Sequence, residues 1–178
     1  MLLYSIFLFG MLAFAILMLF VITSAFLGFL ITRVPFVPTY ASDIKFIVDK
    51  LKISSKDVFY DLGSGNGKVV FLVEKLSGAK TKGFEQTLWT HWWAKLHKFF
   101  SKSKAEFSNN NFFNQDWSEA NIIYCYLYPP LMRRVEEKFK HNMKPGSIAI
   151  VRDFPFPTLP YAEKYYLPKD HEIYVYRL

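Results

Sequence analysis

No charged residue occurs in the first 32 positions. All 22 Lys and Arg and all 15 Asp and Glu, a formal charge of +7, therefore fall in the other 146 of the 178 residues. Met1 to Thr32 holds only six residues outside the apolar set: Ser5, Gly10, Thr23, Ser24, Gly28 and Thr32. Such a segment excludes a wholly soluble chain, and its occurring once excludes a polytopic one. The remainder has the apolar content of an ordinary globular domain, which excludes a disordered chain. Cys125 is the single cysteine, so a disulfide scaffold is excluded. There is no internal repeat and no low-complexity tract. His97, His141 and His171 have no metal-ligand spacing, so no metal is expected. One domain of about 146 residues remains, long enough to bury a core.

Leu2 to Ile31 as a helix spans roughly 45 Å at 1.5 Å per residue. A bilayer core of about 30 Å needs only about 20 residues, so the helix must tilt or extend beyond the hydrocarbon. A cleaved signal peptide needs a basic start and a shorter apolar run, yet no Lys or Arg precedes Arg33. The segment is therefore read as a retained membrane anchor. Arg33, Lys45, Lys50, Lys52 and Lys56 follow it, and the positive-inside tendency places the folded part on the cytoplasmic (or organellar matrix) side.

Arg33-Val34-Pro35-Phe36-Val37-Pro38-Thr39 is a breaker segment, because two prolines push their neighbours toward extended geometry. Ile44, Ile47, Val48 and Leu51 repeat at helical spacing. Asp57 to Leu62 reads as a buried strand, Gly63-Ser64-Gly65-Asn66-Gly67 as a sharp turn, and Lys68 to Leu76 as a helix. Lys80 to Glu85 is a second strand. The stripe of Leu88, Trp89, Trp92, Trp93, Leu96, Phe99 and Phe100 predicts a helix that buries these side chains in the core, with His91, Lys95, Lys98 and Lys102 on a solvated face. Trp89 or Trp93 at a membrane interface is the other reading, since Trp is enriched there. A third strand lies within Ala105 to Phe113, and Asn121 to Tyr128 is a fourth. A helix after Pro129-Pro130 and a fifth strand over Ser147 to Val151 follow. A Pro-rich loop leads to a closing strand, Glu172 to Arg177. Strands alternating with helices predict an α/β fold with a parallel sheet, in which a ligand sits at the carboxyl ends of the strands.

Asp61-Leu62-Gly63-Ser64-Gly65-Asn66-Gly67 joins the first strand to a helix whose N-terminus offers free N–H groups to an anion. The dinucleotide fingerprint would need glycine at position 68, where Lys68 stands. Glu85 ends the second strand, where a carboxylate can accept hydrogen bonds from ribose hydroxyls. Asp116 follows the third strand and can accept from an adenine amino group, and Trp117 beside it can cover the purine face. Each residue alone has a plainer reading: Glu85 as a surface carboxylate, Asp116 as a turn or cap residue, Tyr128-Pro129-Pro130 as a simple helix start.

Together these motifs resemble the class I S-adenosylmethionine-dependent methyltransferases, over residues 40–155. Met143-Lys144-Pro145-Gly146-Ser147 is similar to the turn that they place before strand five. Pro35-Phe36-Val37-Pro38-Thr39 after one apolar helix, Tyr126-Leu127-Tyr128-Pro129-Pro130-Leu131-Met132 and Phe154-Pro155-Phe156-Pro157 resemble the small membrane-anchored protein lysine methyltransferases. Mitochondrial members of that group modify the ATP synthase c subunit and the adenine nucleotide translocase. Asp153 departs from that pattern, where a smaller polar residue is expected. The resemblance implies a Rossmann-like sheet with helices on both faces behind one transmembrane helix. It implies an anchor over 1–32, a junction and leading helix over 33–56, and a methyltransferase domain over 57–178.

The cofactor implied is S-adenosyl-L-methionine, held by Thr39, Asp61, Gly63, Ser64, Gly65, Gly67, Glu85, Asp116 and Trp117, with Thr39 also capping a helix. Tyr128 and Pro129 are expected at the point of methyl transfer, and Phe154 and Phe156 as aromatic walls for the substrate. No general base is assigned, because displacement at a sulfonium needs positioning above all. The implied substrate is a membrane or membrane-proximal protein. A nucleic-acid amino methyltransferase is the rival, but such enzymes place Asp or Asn before Pro-Pro and an aromatic after it. Tyr128 and Leu131 occupy those positions, so no specific nucleic-acid partner is expected. A small-molecule methyltransferase and a non-catalytic cofactor-binding module tethered to the membrane are further alternatives.

Overall fold

A computed structural model of the chain describes residues 2–32 and 39–178. The junction expected at Pro35–Thr39 lies, apart from Thr39, outside the described residues. Helix α1 (Leu2–Thr32) is followed by α2 (Ala41–Leu51), β1 (Val58–Leu62), α3 (Lys68–Ser77), β2 (Lys80–Phe84), α4 (Leu88–Ser101) and β3 (Glu106–Ser108). A short 3-10 turn (Phe112–Asn114), β4 (Ile122–Cys125), α5 (Pro129–Asn142), β5 (Ile148–Arg152), β6 (Glu163–Leu167) and β7 (His171–Arg177) complete the chain.

The seven strands form one sheet in the order β3-β2-β1-β4-β5-β7-β6. The first five are parallel, and β7 runs antiparallel between β5 and β6. The expected Rossmann-like α/β sheet is thus observed. Because strand side chains alternate between faces, β1 sends Phe59 to one side and Tyr60 and Leu62 to the other. Phe59, Ile122, Tyr124 and Ile150 pack against Ile44, Ile47 and Val48 of α2 and Val73 of α3. Tyr60, Leu62, Ile123 and Cys125 pack against Val135 and Phe139 of α5. Helix α2 therefore shares the core of the domain that it precedes.

Four features differ from expectation. Strand β3, three residues long, falls within the expected span 105–113, but the additional strand β6 sits at the sheet edge with mostly half-buried side chains. Trp92 and Trp93 are not core residues: they are 63% and 50% exposed, while His91 and Ala94 form the buried face of α4. His91, expected on a solvated face, is thus the residue that packs inward. Thr39 is not a cap, because the N-cap of α2 is Tyr40.

Arg152, at the end of β5, is fully buried, and its Nη1 donates to Asp43 Oδ2 at 2.6 Å. This pair fastens α2 to the sheet. Two charges taken out of water are tolerable only together. Asp43→Ala should therefore cost roughly 3–5 kcal/mol in urea unfolding, and pairing Asp43→Leu with Arg152→Met should recover most of it. A single-variant loss near zero would show that the pair does not fasten the helix.

Candidate functional site

Strands β1, β2, β4 and β5 end along one edge, and the polar residues at that edge make the site. Asp61 lies in β1 opposite Gly83 of β2 and Tyr124 of β4, so its carboxylate is enclosed on both flanks. It is buried, and among the described residues no hydrogen bond to it is formed. Burial first, and the nearby Glu85 carboxylate second, push its pKa up to about 8 from an ordinary 3.8. A buried, unpaired carboxylate of this kind is a common mark of a ligand site.

The turn after Asp61 is built around glycine. Gly63, Gly65 and Gly67 all have positive φ, and a Cβ on Gly67 would sit 2.6 Å from the Phe107 ring. Gly65 N–H donates to Glu85 Oε2 at 2.8 Å, and Thr87 N–H donates to Glu85 Oε1 at 2.7 Å. Glu85 thereby binds the glycine turn to the start of α4 and keeps a lone pair on each oxygen. Ser64 packs its hydroxyl over Gly83, where a Cβ would lie 2.6 Å from Oγ. That Oγ is buried without a partner among the described residues.

Thr39 is buried, and its Oγ1 shares a 3.2 Å hydrogen bond with the Tyr124 hydroxyl. It reaches the Asp61 region through that ring. Tyr128 is half-exposed and is the N-cap of α5, with Pro129 and Pro130 in the first turn. Phe154 is partly exposed and stacks on Tyr126 at 6.3 Å and 24°. The Arg152 guanidinium lies 5.1 Å from the Tyr126 ring on the same edge.

Three expected residues lie elsewhere. Asp116 is exposed, and its carboxylate accepts from Ser118 N–H at 2.9 Å and from the Ser118 hydroxyl at 2.8 Å. Its pKa is lowered mainly by those bonds, and next by Lys138 and Lys144. Lys138 belongs to α5 and Lys144 to the turn that precedes β5. Trp117 is fully buried and donates from Nε1 to Phe112 O at 3.0 Å, leaving no free face for a purine. Phe156 is buried against Phe139 and Tyr176, so Phe154 alone of the Phe-Pro repeat presents a ring at the edge.

Sequence reasoning missed Asn109, Asn110 and Asn111, which directly follow β3. Asn109 Nδ2 donates to Glu85 O at 2.7 Å, and Asn111 Oδ1 accepts from Phe113 N–H at 2.9 Å. It also missed Tyr124, Tyr126 and Arg152. A charged residue closing an otherwise apolar strand, as in Ile148-Ala149-Ile150-Val151-Arg152, was the available signal.

Residues 61–163 match the family described as the ANTKMT methyltransferase domain, which is more than half of the chain. The chain belongs to that family. It is 27% identical over 132 residues to a protein-lysine N-methyltransferase of Saccharolobus islandicus (strain REY15A), covering 70% of this chain and 79% of that protein. It is 22% identical over 128 residues to the mouse adenine nucleotide translocase lysine N-methyltransferase, covering 71% of this chain but only 56% of that protein. A crystal structure of an RNA methyltransferase from Salinibacter ruber in complex with S-adenosyl-L-homocysteine shares the fold. Its TM-score is 0.75 and its identity 24%, over 79% of this chain and 93% of that one. The ANTKMT-domain chain is accordingly an S-adenosyl-L-methionine-dependent methyltransferase.

The residues at the edge fit that cofactor. Among the described residues, a buried carboxylate without a cation, a second carboxylate beside it and an orphaned buried hydroxyl suit a ligand that carries an ammonium and a sulfonium. Binding such a cation favours ionised Asp61 and lowers its pKa. In the free protein the raised pKa costs stability as pH climbs above 3.8, and that cost is complete above about 8. Asp61→Asn should therefore raise Tm by an amount that grows from pH 4 to 8, at roughly 2–4 °C for each kcal/mol relieved. The same variant should lose cofactor binding in calorimetry. A variant that binds normally, or one that is destabilised at pH 8, would remove Asp61 from the site.

Proposed function

We propose that this methyltransferase is a protein-lysine N-methyltransferase acting on a membrane or membrane-proximal protein. In this reading α1 retains it in the membrane, with the catalytic domain on the cytoplasmic or organellar matrix side. The observation that carries the reading is the aromatic mouth at the carboxyl edge, where Tyr126 stacks on Phe154 and Tyr128 stands half-exposed. The names of the Saccharolobus and mouse relatives support the choice of lysine.

When bound, the cofactor supplies an electrophilic methyl group on a sulfonium. Asp61, Ser64 and Glu85 would hold its polar groups, with Gly63, Gly65 and Gly67 letting the backbone approach. Thr39 supports the site through Tyr124. The amide groups of Asn109–Asn111, which offer both donors and acceptors, take the adenine-facing role in place of Asp116 and Trp117.

A lysine amine must lose its proton before it can attack, and its free pKa is about 10.4. The rings of Tyr126, Tyr128 and Phe154 exclude water, and desolvation favours the neutral amine. The same ring faces would accommodate a positively charged methylated amine. Pro129 fixes the backbone beside Tyr128 by starting α5. The reaction needs orientation, with no side chain acting as a base.

Helix α1 supports the membrane setting, since Leu2–Ser24 is long and apolar enough to cross a bilayer and none of it is buried. Purified protein incubated with labelled methyl donor and its own membranes should label a protein band that yields methyl-lysine on hydrolysis. Label confined to lipid, RNA or small molecules would overturn the reading. Tyr128→Ala should lower kcat/KM at least about tenfold while the cofactor Kd stays unchanged.

A further inference from the structure

Helix α4 is built inside out for a soluble domain. At about 100° per residue, Leu88, Trp92, Trp93, Leu96, Phe99 and Phe100 fall within one arc of roughly 140°. All six are exposed, Phe99 and Phe100 to 77% and 73%. The helix rests on the domain through the opposite side, by His91 and Ala94. Lys95 and Lys102 border the apolar arc and are exposed, and Lys104 follows. A broad aromatic face turned away from the body marks an interaction surface.

The neighbouring element says what covers it. Trp89 N–H at the start of α4 donates to Ser24 Oγ of α1 at 3.2 Å. Ser24 lies inside the apolar run of α1, which continues to Ile31, at the end of its first stretch Leu2–Ser24. The rise over that stretch is about 33 Å, close to the thickness of a bilayer core. With Leu2 at one face of the bilayer core, the first turn of α4 stands near the other face, the level at which Trp and Lys are favoured.

We propose that α4 is a second membrane contact: a helix lying in the plane of the bilayer that α1 crosses, its aromatic face in the interfacial layer and its lysines on anionic headgroups. This rests on the reading of α1 as an anchor. It joins two features that charge and burial leave unexplained separately, a face too apolar for water and a basic border suited to anionic lipid. Because α4 begins three residues after Glu85, the contact also holds the cofactor edge beside the membrane, where a membrane-embedded lysine can reach it.

The chain provides its own probe. Of its four tryptophans, Trp89, Trp92 and Trp93 lie on α4, and Trp117 is fully buried. Full-length protein is reconstituted into phosphatidylcholine vesicles containing phosphatidylglycerol, with or without brominated acyl chains, and retention under alkaline carbonate is measured on the same samples. Emission should fall at least roughly twofold in brominated vesicles. The fall should persist in a W89F/W93F variant that keeps Trp92, and it should shrink in a K95E/K102E variant. Carbonate-resistant protein with equal emission in both vesicles would overturn the α4 contact and leave the anchor standing. Loss of the protein to the carbonate supernatant would overturn the anchor and the α4 contact with it. Trp burial that depends on protein concentration and not on lipid would assign the face to a second copy, contradicting the proposal.

Discussion

Asp61 lies near the end of β1, between β2 and β4, buried, with the Glu85 carboxylate nearby and no cation paired with either among the described residues. That imbalance organises the site. It explains why Glu85 is tied down by two backbone N–H groups, one from the glycine turn and one from the start of α4: without those bonds two carboxylates at neighbouring strand ends would separate. It explains why the turn must be glycine-built, since only a backbone free to adopt positive φ brings Gly65 N–H back to the end of β2. A cationic ligand placed between these two carboxylates favours the ionised form of Asp61.

The parts of this arrangement legible in the sequence are those with a local signature. Asp61 and the three glycines announce themselves because a charged residue ends an apolar strand just before a run that no regular element can use. Glu85 follows from the same logic one strand later. Strand β3 ends at Ser108 and is followed directly by Asn109–Asn111, whereas Asp116 lies eight residues beyond that end and is bonded to Ser118. Phe154 and Phe156 show how alternation defeats single-residue reasoning, since two identical residues in one Phe-Pro repeat lie on opposite sides of the surface. Strand β6 was overlooked because its side chains are half-buried at the sheet edge and carry neither a strong apolar run nor a turn signal. The Asp43–Arg152 pair spans 109 positions, and nothing local in either residue reveals a partner at that distance.

The tryptophan stripe is the instructive difference. A helical row of Leu, Trp and Phe has the pattern of a core helix, and pattern alone cannot say which solvent the apolar face meets. The fold supplies the answer: His91 and Ala94 take the inward side, which leaves the aromatic side outside next to α1. The apolar first segment and the aromatic face of α4 then describe one surface of the molecule, and the Asp61–Glu85 edge opens close to it. Substrate choice in this account comes as much from where the edge is held as from the shape of the aromatic mouth around Tyr126, Tyr128 and Phe154.

The account stands most directly on the charge state of Asp61. Carbon-13 NMR of the aspartate carboxyls in the full-length protein, titrated with and without S-adenosyl-L-methionine, reads that state. One carboxyl, absent in Asp61→Asn, should titrate near pH 8 in the free protein and move down to the ordinary carboxylate range when the cofactor binds. An Asp61 carboxyl that titrates near 3.8 without ligand, or that keeps its high value with ligand bound, would contradict it.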